Sequence, residues 1–357
     1  MIHLDLPDYR ITIGPLENGA LADWLKEQAY AGLFIITDEH TDRHCLHHFL
    51  HQLPDGTRMY FSSIQSGELN KTLETCQKIW TDMFEGQVGR RWCAVNIGGG
   101  VVGDMGGFCA ATFKRGIDFI QVPTTLLAQV DASVGGKLGI DFYGVKNSIG
   151  TFRNPKAVWI DPVYLETLPA AELRSGYAEI IKHALIADPV IWQELRRYKN
   201  LATVEWQHII PRSVSVKKRI VESDPHERGL RKALNFGHTI GHALESYFLE
   251  TDRPLLHGEA VAIGMIAEAW LSYQLTGLTK QELEEIAFYL LTIFRHHALR
   301  PGPDTYHELI ELMYQDKKNE DHRINFSLLN RVGSCVVNQT AGEELIRGAL
   351  DYYEGLG

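Results

Sequence analysis

Up to Ile160 the chain alternates short apolar runs with amphipathic stretches, and beyond Leu168-Pro169 that alternation stops. Gly32-Leu33-Phe34-Ile35-Ile36, Cys93-Ala94-Val95-Asn96-Ile97 and Phe119-Ile120-Gln121-Val122 read as buried strands, and Glu68 to Met83 between the first two reads as a helix. Strand, helix, strand in that order is the pattern of an α/β layer with a mostly parallel sheet. The second half runs instead in long helical periods over 170–187, 204–222, 232–248, 258–276 and 279–298. One exception, Ile324 to Val337, alternates around Arg331-Val332-Gly333 and predicts a small hairpin. The reading is an α/β Rossmann-like domain over 1–166 followed by a mainly α-helical domain over 167–357.

A chain of 357 residues exceeds the size at which one hydrophobic core stops growing, so two domains are expected. No uninterrupted apolar run reaches the ~20 residues of a membrane span, which argues against a membrane partner. The start, Met1-Ile2-His3-Leu4-Asp5, has no basic-then-apolar leader, and a cytoplasmic location is expected. Five cysteines, Cys45, Cys76, Cys93, Cys109 and Cys335, lie far apart without a CxxC pair and read as reduced structural thiols. The net charge is −10 and the basic residues form no stripe, so no nucleic-acid partner is expected. An anionic ligand would need a local basic pocket.

The segment Gly98-Gly99-Gly100-Val101-Val102-Gly103-Asp104-Met105-Gly106-Gly107 follows a strand and precedes the helix-like run Phe108 to Phe113. Such glycines let backbone approach a pyrophosphate at a helix N-terminus, although a tight strand-to-helix turn uses the same residues and the spacing is not GxGxxG. Asp131 to Lys137, then Gly144-Val145-Lys146-Asn147, set two lysines and an Asn near flexible backbone, suited to phosphate or carboxylate or simply to solvent. His238 and His242 lie one turn apart on one helix face, and His257 opens the next helix after a break at Asp252-Arg253-Pro254. Glu179 and Lys182 are charges on an otherwise apolar helix, where an ion would relieve the cost of burial. One carboxylate with two or three imidazoles is a catalytic zinc set, although single helix histidines more often belong to core or surface. Lys217, Arg231 and the triplet Asp316-Lys317-Lys318 offer an anion pocket or solvated faces.

Taken together, GGGVVGD at 98–104, PTTLLAQVDASVGGK at 123–137, AEIIKH at 178–183, NFGHTIGHALE at 235–245, HGEAVAIGM at 257–265 and DKK at 316–318 resemble the 3-dehydroquinate synthases. The similarity runs from about Gly67 to about Lys318. It implies NAD at Gly99, Gly100, Val101, Asp104, Thr124, Thr125, Asp131, Lys146, Asn147 and Thr167, with Asp38, Glu68 and Lys71 at the adenosine end. It implies Zn2+, or Co2+, on Glu179, His238 and His257, and substrate on Lys137, Lys182, Lys217, Arg231, Asn235 and Lys317. His242, Glu227 and Lys182 match the catalytic positions, and Arg115 matches an arginine that reaches the neighbouring subunit's substrate, which implies a homodimer. The implied reaction turns a phosphorylated seven-carbon sugar acid into 3-dehydroquinate and phosphate, within aromatic amino acid biosynthesis, by transient NAD oxidation, phosphate elimination, re-reduction and an internal aldol closure. His40 departs from the family's common Asn, His322 and Asn325 from a Gly and an Arg, and the loop Tyr143 to Asn147 carries one extra residue. The alternatives are a cyclase for another heptulose or a hexose phosphate, a metal-dependent polyol dehydrogenase of similar plan, and a catalytically dead binding protein that keeps the fold.

Overall fold

The computed structural model describes residues 1–143, 145–249, 251–299, 305–315 and 323–357. Lys317 and its triplet lie outside the described residues, as do Gly144 and His322. The chain divides into two compact units, Met1–Pro169 with Trp206–Lys218, and Ala170–Glu205 with Arg219–Gly357.

The first unit is built on β1 (Ile2–Asp5), β2 (Arg10–Ile13), α1 (Ala20–Gln28), β3 (Gly32–Asp38), α2 (Glu39–His44), α3 (Leu46–Leu50), β4 (Met59–Ile64), α4 (Leu73–Glu85), β5 (Trp92–Gly98), α5 (Gly100–Thr112), β6 (Asp118–Pro123), β7 (Lys137–Phe142), β8 (Val145–Phe152) and β9 (Ala157–Ile160). Seven strands form one sheet in the order β1-β2-β9-β6-β5-β3-β4, parallel throughout except for β1 against β2. Along β3, Phe34 and Ile36 join one apolar cluster with α4 and α5, while Leu33 and Ile35 join another with α1 and α3. Both faces are therefore covered, which is why β3 and β5 read as continuous apolar runs. The chain leaves β3 for β4 on one side and, after α4, returns to β5 on the other, so a topological switch point lies at the carboxyl ends of β3 and β5.

Two expectations are corrected here. The glycines of 100–107 do not precede a helix; they lie inside α5. A Cβ on Gly106 would stand 2.3 Å from Asn96 Oδ1, so glycine lets the helix press onto the strand. Lys137, Lys146 and Asn147 are not on flexible backbone either, because β7 and β8 pair as an antiparallel hairpin.

The second unit contains α6 (Ala170–Ala187), α7 (Pro189–Leu195), the end of α8 (Trp206–Ser223), α9 (His238–Phe248), α10 (His257–Leu275), α11 (Lys280–Phe294), α12 (Thr305–Gln315), the hairpin of β10 (Asn325–Arg331) with β11 (Ser334–Thr340), and α13 (Glu343–Glu354). Helix α10 is apolar on nearly every side and buried, with α6, α9, α11 and α13 packed around it. The expected helix over 232–248 begins only at His238, because Phe236 is extended and Gly237 is left-handed at φ +80°. Among the described residues no helix is long and apolar enough to cross a membrane.

Candidate functional site

In the first unit Asp38, Gly99, Gly100, Val101 and Thr124 lie at or next to the carboxyl ends of β3, β5 and β6. Gly98 closes β5 and Gly99 precedes α5, whose N-terminus has no side-chain cap, so its first N–H groups face a groove lined by Gly99, Gly100, Gly103, Asp104, Pro123 and Ser133. Val101 lies in the first turn of α5 and is partly buried. A Cβ on Gly99 would stand 3.0 Å from Thr125 Cγ2, so a glycine lets this turn pack closely on Thr125. Thr124 holds the turn from below, its N–H donating to Gly98 O at 3.0 Å. Asp38 ends β3, where its carboxylate accepts from the N–H groups of His40 and Thr41 and caps α2.

The buried Lys71 ammonium lies 2.7 Å from Asp104 Oδ2 and 2.7 Å from Asn147 Oδ1, with Glu68 Oε1 at 3.9 Å. Burial raises the Asp104 pKa against the pull of Lys71. Four residues assigned separately from sequence thus meet in one polar cluster. Asp131 accepts from Lys217 Nζ at 2.6 Å, which fixes a lysine reached through α8. Lys137 and Lys146 lie on the hairpin, Lys137 exposed and Lys146 half-buried. Thr167, exposed in a short turn at 162–167, is not brought to this cluster by any contact with it. Exposed Arg115 follows Lys114, and both residues have positive φ, +66° and +50°.

In the second unit Glu179 on α6 is fully buried, and His238 Nε2 and His257 Nε2 lie 3.5 and 3.7 Å from its Oε1. One donor atom from each of the three falls within 4.8 Å of the others. Each imidazole is oriented by its second nitrogen: His238 Nδ1 sits 3.2 Å from Phe236 O, and His257 Nδ1 3.2 Å from Glu245 Oε2. With Nδ1 donating, each Nε2 is left to face Glu179, and once deprotonated the two nitrogens and the carboxylate make the donor set that a divalent cation of the zinc type requires. The residues present fit such an ion. Burial works against a charged His257, but Glu179 and Glu245 outweigh it and the pKa is pushed up to about 10.

Lys182, one turn along α6, pairs with Glu179, so the two buried charges expected to need an ion also neutralise each other. His242 is half-buried, its ring 5.1 Å from that of His238 and 6.0 Å from that of His257. Asn235 Nδ2 donates to Glu227 Oε1 at 2.9 Å, and Glu227 is left-handed at φ +57°. Arg231 is buried, its guanidinium donating to Pro225 O at 2.6 Å. Sequence reasoning gave no role to Glu245, although it lies seven residues after His238 on the same face of α9.

A parallel α/β unit with a glycine-lined strand-to-helix turn, carried in one chain with a helical unit holding a Glu-His-His cluster, is a fold shared with solved sugar phosphate cyclases. Residues 61–175 match the model of the 3-dehydroquinate synthase N-terminal region, and residues 176–319 that of its C-terminal region. The chain belongs to the 3-dehydroquinate synthase family. It is 43% identical over 336 residues to the 3-dehydroquinate synthase of Parabacteroides distasonis, covering 93% of this chain and 94% of the relative. It is 42% identical over 304 residues to that of Halorhodospira halophila, covering 83% of each. Among solved structures, 2-epi-5-epi-valiolone synthase from Streptomyces hygroscopicus subsp. jinggangensis, with NAD+ and Zn2+ bound, superposes with a TM-score of 0.86 at 27% identity, covering 100% of this chain and 99% of that one.

Proposed function

We propose that the chain converts 3-deoxy-D-arabino-heptulosonate 7-phosphate to 3-dehydroquinate and phosphate, with NAD and a divalent metal as its cofactors. The observation that carries the reading is the cluster of Glu179, His238 and His257 in a chain that aligns over 93% of its length with a 3-dehydroquinate synthase. NAD would supply a hydride acceptor that is restored within one turnover, and Zn2+ or Co2+ would supply a Lewis acid for a hydroxyl or carbonyl oxygen.

The chain's own residues do the rest. The uncapped N-terminus of α5 and the turn at Gly99, Gly100 and Val101 would hold NAD together with Asp104, Thr124, Thr125, Asp131, Lys146 and Asn147, with Asp38, Glu68 and Lys71 assigned to its adenosine end and Thr167 assigned by resemblance alone. Glu179, His238 and His257 hold the metal. Lys182, Arg231 and Asn235 bind a substrate that carries both phosphate and carboxylate, with Lys137, Lys217 and Lys317 assigned to the same ligand and Arg115 to that of the neighbouring subunit. His242 and Glu227 move protons, Asn235 holding Glu227 in place through its Oε1. Elimination and ring closure are intramolecular, so positioning supplies much of the rate.

The reading extends to a cytoplasmic homodimer. Five free thiols support a reducing compartment, and the match of Arg115 to an arginine that reaches a neighbouring subunit's substrate supports the dimer. The test pairs two substrates in a phosphate-release assay, the heptulosonate phosphate and sedoheptulose 7-phosphate, with NADH absorbance followed alongside. The proposal expects phosphate from the first only, without net NADH. Turnover of only the second would assign the chain to another cyclase, and accumulating NADH to a dehydrogenase.

A further inference from the structure

We propose that Glu268 is a positioning residue for the metal cluster, holding the first turn of α9 so that the His238 ring meets those of the other two ligands. It rests on the reading of Glu179, His238 and His257 as metal ligands. Glu268 lies on α10 with no exposed surface, a carboxylate in a helix that is otherwise apolar around it. Its Oε2 accepts from Gly237 N at 2.7 Å, and its Oε1 from Thr239 N at 3.0 Å and Ile240 N at 3.1 Å. Those three amides flank His238 on both sides.

Helix α9 cannot cap itself. Its N-cap position is Gly237, left-handed and without a side chain, where a Cβ would stand 2.5 Å from Met265 Cγ. The capping acceptor comes instead from the neighbouring helix, three N–H groups converging on one carboxylate whose charge is matched by the positive end of the α9 dipole. The contact is also a register lock between α9 and α10. A Cβ on Gly264 would fall 2.0 Å from Gly237 O, so the helices touch backbone to backbone one turn from Glu268.

The geometry gives this cap a role beyond stability. Helix α10 begins at His257 and reaches Glu268 about three turns later on the same face, toward α9. One helix therefore presents a ligand at its start and, further along, fixes the backbone of the residue that supplies another ligand. A shift of α9 by a few tenths of an ångström would separate His238 Nε2 from Glu179 without touching either side chain.

The test is zinc affinity of the apoprotein, measured by competition with a chromophoric chelator, for the wild type, Glu268→Gln and Glu268→Asp. Glu268→Gln keeps the shape but turns an amide N–H toward a backbone donor; zinc affinity is expected to fall about 10–100-fold, while circular dichroism shows a folded chain. Glu268→Asp recovers part of the loss. Folded variants with wild-type zinc affinity would make Glu268 a structural cap only and overturn the inference. A wild type that takes up no zinc would overturn both the ligand reading and this one. In the wild type itself, zinc is expected to slow amide hydrogen exchange at Gly237, Thr239 and Ile240, and unchanged exchange on loading counts against the proposal even if no variant folds.

Discussion

His257 Nδ1 stands 3.2 Å from Glu245 Oε2, while the other nitrogen of the same ring faces Glu179 at 3.7 Å. The carboxylate behind the imidazole fixes its tautomer and its direction, and a ligand so held binds metal more tightly. Glu245→Gln is expected to weaken zinc binding by about 10–100-fold. Equilibrium dialysis of the apoprotein checks this, and an affinity equal to wild type would remove Glu245 from the site.

Gly258, next to His257, meets α6 at close range: a Cβ there would fall 2.0 Å from Ser175 O, and the Gly258 N–H donates to Ser175 Oγ at 2.9 Å. Ser175 and Glu179 share a helix face, so this contact sets how far His257 stands from Glu179. Gly258→Ala is expected to destabilise the fold by about 1–3 kcal/mol and to weaken metal binding as well. Denaturant melts with metal titration test it; an unchanged zinc affinity in the destabilised variant would uncouple the contact from the site.

Lys71 and Asp104 form a largely buried pair, with side-chain exposures of 4% and 21%. Removing the cation leaves the carboxylate in poor solvent. Lys71→Met is expected to cost about 3 kcal/mol, and the double change Lys71→Met with Asp104→Leu less than the sum of the two single losses. Urea melts decide; strict additivity would show the pair to be energetically idle.

Glu282 accepts from Val332 N at 3.0 Å, from Thr279 N at 2.9 Å and from Thr279 Oγ1 at 2.7 Å. Burial works to raise its pKa, but those donors outweigh it and hold the carboxyl below its ordinary 4.5. A group depressed in the folded state adds stability above its unfolded pKa and loses it as pH falls through the folded one. Glu282→Ala should therefore lower stability by about 1–2 kcal/mol near neutral pH, with the gap closing below about pH 4. Thermal melts across that range test the sign, since a gap that widens in acid would reverse it.

What the chain announces and what it conceals follow from the reach of each signal. His238, His242 and His257 are legible because one helical turn and one break set them close in sequence, and the structure brings their rings within 6.0 Å. The β3 and β5 strands are legible because burial on both faces leaves continuous apolar runs. The helix α5 hides because its glycines, poor helix formers, are selected by contact with Asn96 on the preceding strand and with Leu138, 31 residues beyond Gly107. Lys71 ahead of α4, Asp104 on α5 and Asn147 on β8 meet only by tertiary packing, a relationship without a local period. Glu268 carries the same signal as Glu179, a lone carboxylate on an apolar helix, yet its partners are backbone amides, which no sequence pattern displays.

Zinc K-edge absorption on the metal-loaded protein reads the ligand set of Glu179, His238 and His257 itself. One zinc per chain is expected, with two imidazole nitrogens at about 2.0–2.1 Å and oxygen completing the shell, and loss of that signal in Glu179→Ala. A shell containing sulfur, or a spectrum unchanged in His238→Ala and His257→Ala, would contradict it.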